Sequence, residues 1–170
     1  MCGTHRYAAP AYGGRLPWLL GVAVVVLVVD QATKAWALSS LQRDVRHALW
    51  GEALGIQLVF NPGAALGMGM RATWLLPIFA VMAIATIVWI SRRLGSTEWA
   101  VALGLMLGGA LGNLIDRLVR DPGFGRGRVI DFIAYGNLFV GNVADIVIVV
   151  AAALLMFLSF RGVRLDGSRA

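Results

Sequence analysis

The chain has 170 residues, of which 59% are hydrophobic and only 14% are charged, and its mean hydropathy is +0.76. A water-soluble domain of this length needs more charge to cover its surface, so the composition indicates a membrane protein. The net charge of +6 comes from basic residues scattered beside the apolar runs, which favours anionic lipid headgroups over nucleic acid as partners. The single cysteine, Cys2, excludes an internal disulfide.

The first apolar stretch, residues 16–38, is long enough to cross a bilayer, which takes roughly 20 residues. Its basic flank and apolar run also resemble a cleavable secretory signal. We favour an uncleaved helix, because the run continues into Asp30, Gln31 and Lys34 and further apolar stretches follow. Asp30 and Lys34 are spaced for an ion pair on one helix face, and an active-site role for them stays open.

A long connection follows, over residues 39–73. Residues 55–60 alternate in the manner of a short β-strand, and residues 61–67 have the composition of a turn. We therefore expect a small β-sheet on the membrane surface, outside the cytoplasm.

Three further apolar stretches, residues 74–90, 99–118 and 138–160, complete a predicted bundle of four transmembrane helices. The predicted fold class is an all-α membrane protein with a small extracytoplasmic β-containing loop region, forming one domain over residues 1–170. Lys and Arg counts are nearly equal on the two sides, but Arg92 and Arg93 in the shortest loop favour cytoplasmic termini. Gly104, Gly108 and Gly112 recur every four residues and predict a close helix-packing face.

Two clusters of the form Asn-x-x-Asp lie near the ends of the third and fourth stretches: Asn113 with Asp116, and Asn142 with Asp145. A spacing of three residues places the amide and the carboxylate on one helix face. Because the two helices are antiparallel, both clusters lie at the same membrane face, where Asp116 and Asp145 can meet. Two such carboxylates share a proton and can activate water against a carbonyl, which is the chemistry of an aspartic peptidase.

The residues alone leave other interpretations open. Asp116 can instead pair with Arg117 or Arg120, and Asp145 can cap or anchor its helix. Buried aspartates also serve small transporters or channels as proton or cation sites, and the glycine face would suit a non-catalytic assembly factor. No His or Cys pair has metal-ligand spacing and no serine has suitable partners, so we expect no metal, cofactor or serine chemistry.

Five motifs together resemble the lipoprotein signal peptidases, also called signal peptidase II, a family of bacterial aspartyl peptidases. They are Asp-Gln-Ala-Thr-Lys at 30–34, Asn-Pro-Gly-Ala-Ala at 61–65, Gly-Gly-Ala-Leu-Gly-Asn-Leu-Ile-Asp-Arg at 108–117, Val-Ile-Asp-Phe at 129–132 and Asn-Val-Ala-Asp at 142–145. The motifs follow the family's order over residues 16–160. Two positions depart from the family, which usually has aromatic residues at Leu66 and Gly141.

The resemblance implies four spans in the inner membrane with cytoplasmic termini and an active site facing the extracytoplasmic side. It implies a catalytic pair of Asp116 and Asp145 and removal of signal peptides from prolipoproteins, with the cut just before the diacylglyceryl-modified cysteine. The other expected site residues line or support this pair: Asp30, Lys34, Asn61, Gly63, Asn113, Arg117, Asn142 and Ala144. We expect a monomer whose partners are lipid-modified prolipoproteins and membrane lipids.

Overall fold

The computed structural model describes residues 14–63 and 74–169 of the chain. These described residues form four helices: α1 Leu16–Ser40, α2 Leu75–Ser91, α3 Thr97–Val119 and α4 Val143–Phe160. In the described residues α1, α3 and α4 are long and apolar enough to cross a membrane, whereas α2 is a shorter apolar helix of 17 residues. The predicted turn beyond Gly63, with Leu66, and the cysteine Cys2 lie outside the described residues.

Four strands form one antiparallel sheet in the order β1 Arg46–Trp50, β2 Leu54–Asn61, β3 Val129–Tyr135 and β4 Phe139–Gly141. The strand predicted at residues 55–60 is confirmed as β2. Its register places Asn61 opposite Val129 at the start of β3. The sheet thereby joins the connection after α1 to the connection after α3.

The fourth apolar stretch was predicted to begin at residue 138, but α4 begins at Val143. The apolar residues before it belong to the β3–β4 hairpin, in which Tyr135 pairs with Phe139. The helix starts where it does because Asn142 caps it: its side-chain oxygen accepts from the Asp145 amide, and the Asp145 carboxylate accepts from the Asn142 amide, both at 3.1 Å. Hydropathy alone does not register this boundary.

The predicted glycine face of α3 packs against α1. A Cβ placed on Gly104 would lie 2.7 Å from the Leu19 carbonyl oxygen, and one on Gly108 would lie 2.7 Å from that of Ala23. Only hydrogen fits at these positions, so the two backbones approach closely. The role predicted for these glycines in packing is confirmed.

A second apolar cluster holds the sheet against the end of the bundle. Ala37 of α1 packs with Leu58, Ile130 and Phe132 from the two central strands. This contact fixes β3 beside the C-terminal halves of α1 and α3. The polar side chains of the site lie in this region.

Candidate active site

A buried ion cluster joins α1 to α3. Lys34 is fully buried, and its three ammonium hydrogens match three acceptors: Asp30 Oδ2 at 2.8 Å, Asp116 Oδ2 at 2.8 Å and Asn113 Oδ1 at 3.0 Å. An ammonium removed from water is stable only when its charge and its donors are satisfied in this way. The ion pair predicted between Asp30 and Lys34 is confirmed, and it is one part of a larger network.

Asp116 accepts hydrogen bonds on both oxygens. Besides Lys34, it pairs with Arg120 Nε through Oδ1 at 2.6 Å and accepts from the Ile130 amide through Oδ2 at 3.2 Å. Gln31 Nε2 is also 3.3 Å from Oδ1. Two cations therefore contact this fully buried carboxylate, and within the described residues no hydrogen bond joins it to Asp145. This geometry does not support the predicted catalytic pairing of Asp116 with Asp145; it supports the alternative in which Asp116 pairs with Arg120.

Asp145 lies in the first turn of α4 and is half-buried. Its Oδ1 accepts from Asn113 Nδ2 at 2.8 Å, and its Oδ2 accepts from the Asn142 backbone amide at 3.1 Å. The neighbouring Ala144 amide donates to Asp30 Oδ1 at 3.0 Å, which ties the start of α4 to α1. Asp145 therefore faces neutral donors, in contrast to Asp116.

Asn142 links Asp145 to a second carboxylate, that of Asp131 in β3. Asn142 Nδ2 donates to Asp131 Oδ1 at 2.6 Å, and Asn61 Nδ2 donates to its Oδ2 at 2.8 Å. Asp131 is 1% exposed. Burial raises its pKa from 3.8 to about 7, and the negative charge of Asp145 acts in the same direction against the hydrogen bonds from Asn61 and Asn142.

Asn61 and Gly63 lie at the edge of the described segment. The Asn61 side chain accepts from the Gly63 amide at 2.8 Å, which orients its Nδ2 toward Asp131. Gly63 has a φ of +111°, and a Cβ there would overlap Leu76 and lie 3.3 Å from Arg117 Nη1. Arg117 thus sits beside this turn, where the charges of Asp131, Asp116 and Asp145 all attract it.

The predicted site residues are therefore brought together at one end of the bundle, in one connected network: Asp30, Lys34, Asn61, Gly63, Asn113, Arg117, Asn142, Ala144 and Asp145, with Asp116 in the ion cluster. The motif at residues 129–132 also contains Asp131, for which the sequence predicts no role. A carboxylate inside the apolar strand sequence Val-Ile-Asp-Phe-Ile-Ala-Tyr was a signal for it, since such a charge is costly unless it has a use.

Gly141, one of the two departures from the family, lies directly beside Asp145. A Cβ at this position would be 3.2 Å from Asp145 Oδ2 and 3.7 Å from the ring of Phe139. The glycine therefore leaves the side of the carboxylate that faces β4 open. Any larger residue here changes the space around Asp145.

Asp131 and Asp145 form a pair of carboxylates linked by Asn142, one of them with a proton affinity suited to neutral pH. Such a pair can take a proton from water and donate another to a carbonyl. On a helical membrane scaffold, the fold and this site define a membrane-embedded aspartic peptidase.

Comparison with known proteins gives the family. The family model described as "Signal peptidase (SPase) II" matches residues 22–161. The chain belongs to the signal peptidase II family. Among the interpretations open from the residues, this favours the peptidase over a transporter or an assembly factor.

Relatives agree with this assignment, and solved structures share the fold. The chain is 43% identical to a lipoprotein signal peptidase of Leifsonia xyli over 92% of its own length and 73% of the relative's. It is 45% identical to one of Mycobacterium tuberculosis, with 96% and 81% covered. Two solved structures, each described as a bacterial membrane enzyme, share the fold of this chain, with TM-scores of 0.76 and 0.75 at 23% identity. The match to the first covers 88% of this chain and 91% of the chain in that structure.

Proposed function

We propose that the chain removes signal peptides from diacylglyceryl-modified prolipoproteins, cutting just before the lipidated cysteine, with Asp131 and Asp145 as the catalytic pair. The observation that carries this assignment is the contrast between three carboxylates. Asp116 is held by Lys34 and Arg120, whereas the hydrogen bonds that Asp131 and Asp145 accept from the described residues come from neutral donors. The names of the relatives support the substrate class.

The hydrogen bonds around Asp131 and Asp145 suggest which carboxylate acts as the base and which as the acid. Asp145 accepts hydrogen bonds from Asn113 and from the Asn142 backbone amide, and these two contacts hold its carboxylate in a fixed orientation. Asp131 has a pKa of about 7 and carries a proton over much of the neutral range. In the proposed reaction Asp145 takes a proton from the attacking water while Asp131 donates a hydrogen bond to the scissile carbonyl.

The proposed hydrolysis is completed without a covalent enzyme–substrate intermediate. Water adds to the carbonyl carbon and gives a tetrahedral species whose oxygen is stabilised by the Asp131 proton. Asp145, now protonated, gives its proton to the leaving nitrogen as the carbon–nitrogen bond breaks. Asn142 holds both carboxylates in place throughout, since its side chain donates to Asp131 and its backbone amide donates to Asp145.

For the arrangement in the membrane, we infer four spans in the bacterial inner membrane, cytoplasmic termini, an extracytoplasmic site and a monomer. Arg92 and Arg93 lie at the α2–α3 connection, and Arg161 and Arg164 follow α4 at the same end of the bundle. Positive charge concentrated there favours the cytoplasmic side for that end. The sheet and both catalytic carboxylates lie at the other end.

The decisive experiment compares single carboxamide variants on a lipid-modified precursor. Asp131→Asn and Asp145→Asn each remove a group that moves a proton, and we expect cleavage to fall by roughly 10²–10⁴-fold while the protein stays folded. Glu52→Gln, an exposed carboxylate on the β1–β2 turn at the same end, serves as the matched control and should cut normally.

Asp116→Asn gives the contrasting result. It leaves Lys34 and Arg120 short of a buried counter-charge, so the expected effect is a loss of stability of about 3–5 kcal/mol. Cleavage per folded molecule should exceed that of Asp131→Asn when both are assayed below the unfolding midpoint. Full cleavage by Asp131→Asn, together with none by folded Asp116→Asn, would reassign the pair to Asp116 and Asp145.

A further inference from the structure

A cavity of about 520 Å³ opens where the C-terminal ends of α1 and α3 meet the sheet. Its lining divides into two kinds of side chain. Arg43, Arg120 and Arg128 bring three guanidinium groups, and Leu38, Val119 and Ile130 bring apolar surface. None of these residues belongs to the proposed catalytic pair.

The lining contains three guanidinium groups and one carboxylate, that of Asp121. Arg43 stacks over the Phe60 ring at 5.2 Å, and its one ion pair within the described part of the chain is an exposed contact with Asp44 at 3.2 Å. Exposed pairs of this kind contribute little and are easily exchanged for another anion. The cavity therefore has an excess of positive charge.

Donors also remain available in the cavity. Arg120 uses Nε for Asp116, and within residues 14–63 and 74–169 its other guanidinium nitrogens donate to no protein acceptor. In the same part of the chain the side chain of Arg128 makes no hydrogen bond or ion pair. Guanidinium groups bind phosphate oxygens in a bidentate manner, so the cavity has donors suited to a phosphate group.

The apolar wall identifies which kind of anion fits. Val119 is 73% exposed and Leu38 is 37% exposed, and both lie near the ends of helices long enough to cross the membrane. The cavity is thus at the depth where headgroups meet acyl chains. A free inorganic anion would use the guanidinium groups and leave the apolar wall in contact with water.

We propose that this cavity binds the phosphate of an anionic phospholipid, with the acyl chains lying along the outer surfaces of α1 and α3. The excess of positive charge selects a lipid with net negative charge over a zwitterionic one. Arg120 contacts both the cavity and Asp116, so the bound headgroup lies next to the ion cluster that supports the site.

Native mass spectrometry of the purified full chain in a neutral detergent tests this proposal. The probes are phosphatidylglycerol, phosphatidylcholine and inorganic phosphate. The double variant Arg43→Gln/Arg128→Gln should bind phosphatidylglycerol about 25-fold more weakly, because each basic residue at a membrane surface contributes roughly fivefold. The matched control, Arg161→Gln/Arg164→Gln, removes the same charge at the opposite end and should change the affinity less than about twofold.

A second variant tests whether misfolding causes the weaker lipid binding. Arg43→Lys/Arg128→Lys keeps the charge, so it should retain much of the affinity, and all three proteins should keep the wild-type unfolding temperature in the neutral detergent. Equal losses in the two glutamine variants would overturn the proposal in favour of general attraction. Equal affinity for phosphatidylcholine would also overturn it, and so would displacement of the lipid by millimolar inorganic phosphate.

Discussion

The substitution Gly112→Ala tests how tightly Asp30, a member of the buried ion cluster with Lys34 and Asp116, packs against α3. A Cβ at this position would overlap Asp30 Oδ2 and lie 2.9 Å from its Cγ. Asp30 cannot move aside freely, because Oδ2 is 2.8 Å from Lys34 Nζ and Oδ1 accepts from the Ala144 amide at 3.0 Å. The new methyl group must therefore break one of these buried contacts or push α1 away from α3.

The magnitude follows from two opposing terms. Breaking a buried, hydrogen-bonded ion pair costs about 3–5 kcal/mol. Replacing glycine by alanine inside a helix returns about 1 kcal/mol. The expected net loss is about 2–4 kcal/mol in the free energy of unfolding, measured by titrating the protein from a neutral detergent into dodecyl sulfate. Cleavage of a lipid-modified precursor should fall as well, because Lys34 also orients Asn113.

Gly21→Ala is the matched control for this experiment. Gly21 also lies inside a membrane helix, but a Cβ there would meet no heavy atom within 4 Å. Only the helix-propensity term applies, so Gly21→Ala should stabilise the protein by up to about 1 kcal/mol. A Gly112→Ala protein with the stability and activity of Gly21→Ala would refute the argument that Asp30 is held rigidly against α3.

Three further predictions concern the polar network. Because the pKa of buried Asp131 is raised from 3.8 to about 7, its favourable contribution is complete below pH 4 and is lost as the pH rises through 7. The free energy of unfolding should thus fall between pH 5 and pH 8 by about 2–3 kcal/mol more in the wild type than in Asp131→Asn, because roughly two of the three pKa units lie in this window, and identical pH profiles would contradict this. Lys34→Met leaves Asp30 and Asp116 buried beside each other without their shared cation, so it should lower the unfolding free energy by about 3–5 kcal/mol; a midpoint unchanged in the same titration would count against the cluster. Asn113→Asp keeps an acceptor for Lys34 but replaces the donor that faces Asp145, so cleavage should fall about 100-fold in a protein that remains folded, and normal turnover would show that this donor is dispensable.

Much of the fold could be predicted from the sequence because hydropathy reports directly on burial in lipid. The helices α1, α2 and α3 lie within a few residues of the predicted stretches. The start of α4 could not be found in this way, because the residues of β4 are as apolar as a membrane span. That boundary depends on Asn142 as a helix cap and on the pairing of β4 with β3, and pairing between strands is a long-range property.

The candidate site shows the same division between local and long-range information. The i, i+3 spacing brings Asn113 and Asn142 into the polar network, where they contact Asp145 and Asp131, because helix geometry is local. The spacing does not reveal which carboxylates meet. Asp116 forms ion pairs with Lys34 and Arg120, whereas Asp131 comes from strand β3. The proposed pair of Asp131 and Asp145 therefore depends on how the sheet packs against the helices.

The orientation of both asparagine amides can be deduced from their neighbours, and it connects the ion cluster to the chemistry. An ammonium can only donate, so Lys34 requires Asn113 to present Oδ1, which turns its Nδ2 toward Asp145. The Asp145 backbone amide likewise requires Asn142 to present Oδ1, which turns its Nδ2 toward Asp131 and toward the Asn113 oxygen.

Neither amide can flip without placing two donors or two acceptors face to face in a buried site. Each carboxylate of the proposed pair therefore meets a fixed donor, and the shared proton must occupy a lone pair that these donors leave free. A residue such as Lys34, which need not touch the substrate, thereby governs where that proton lies.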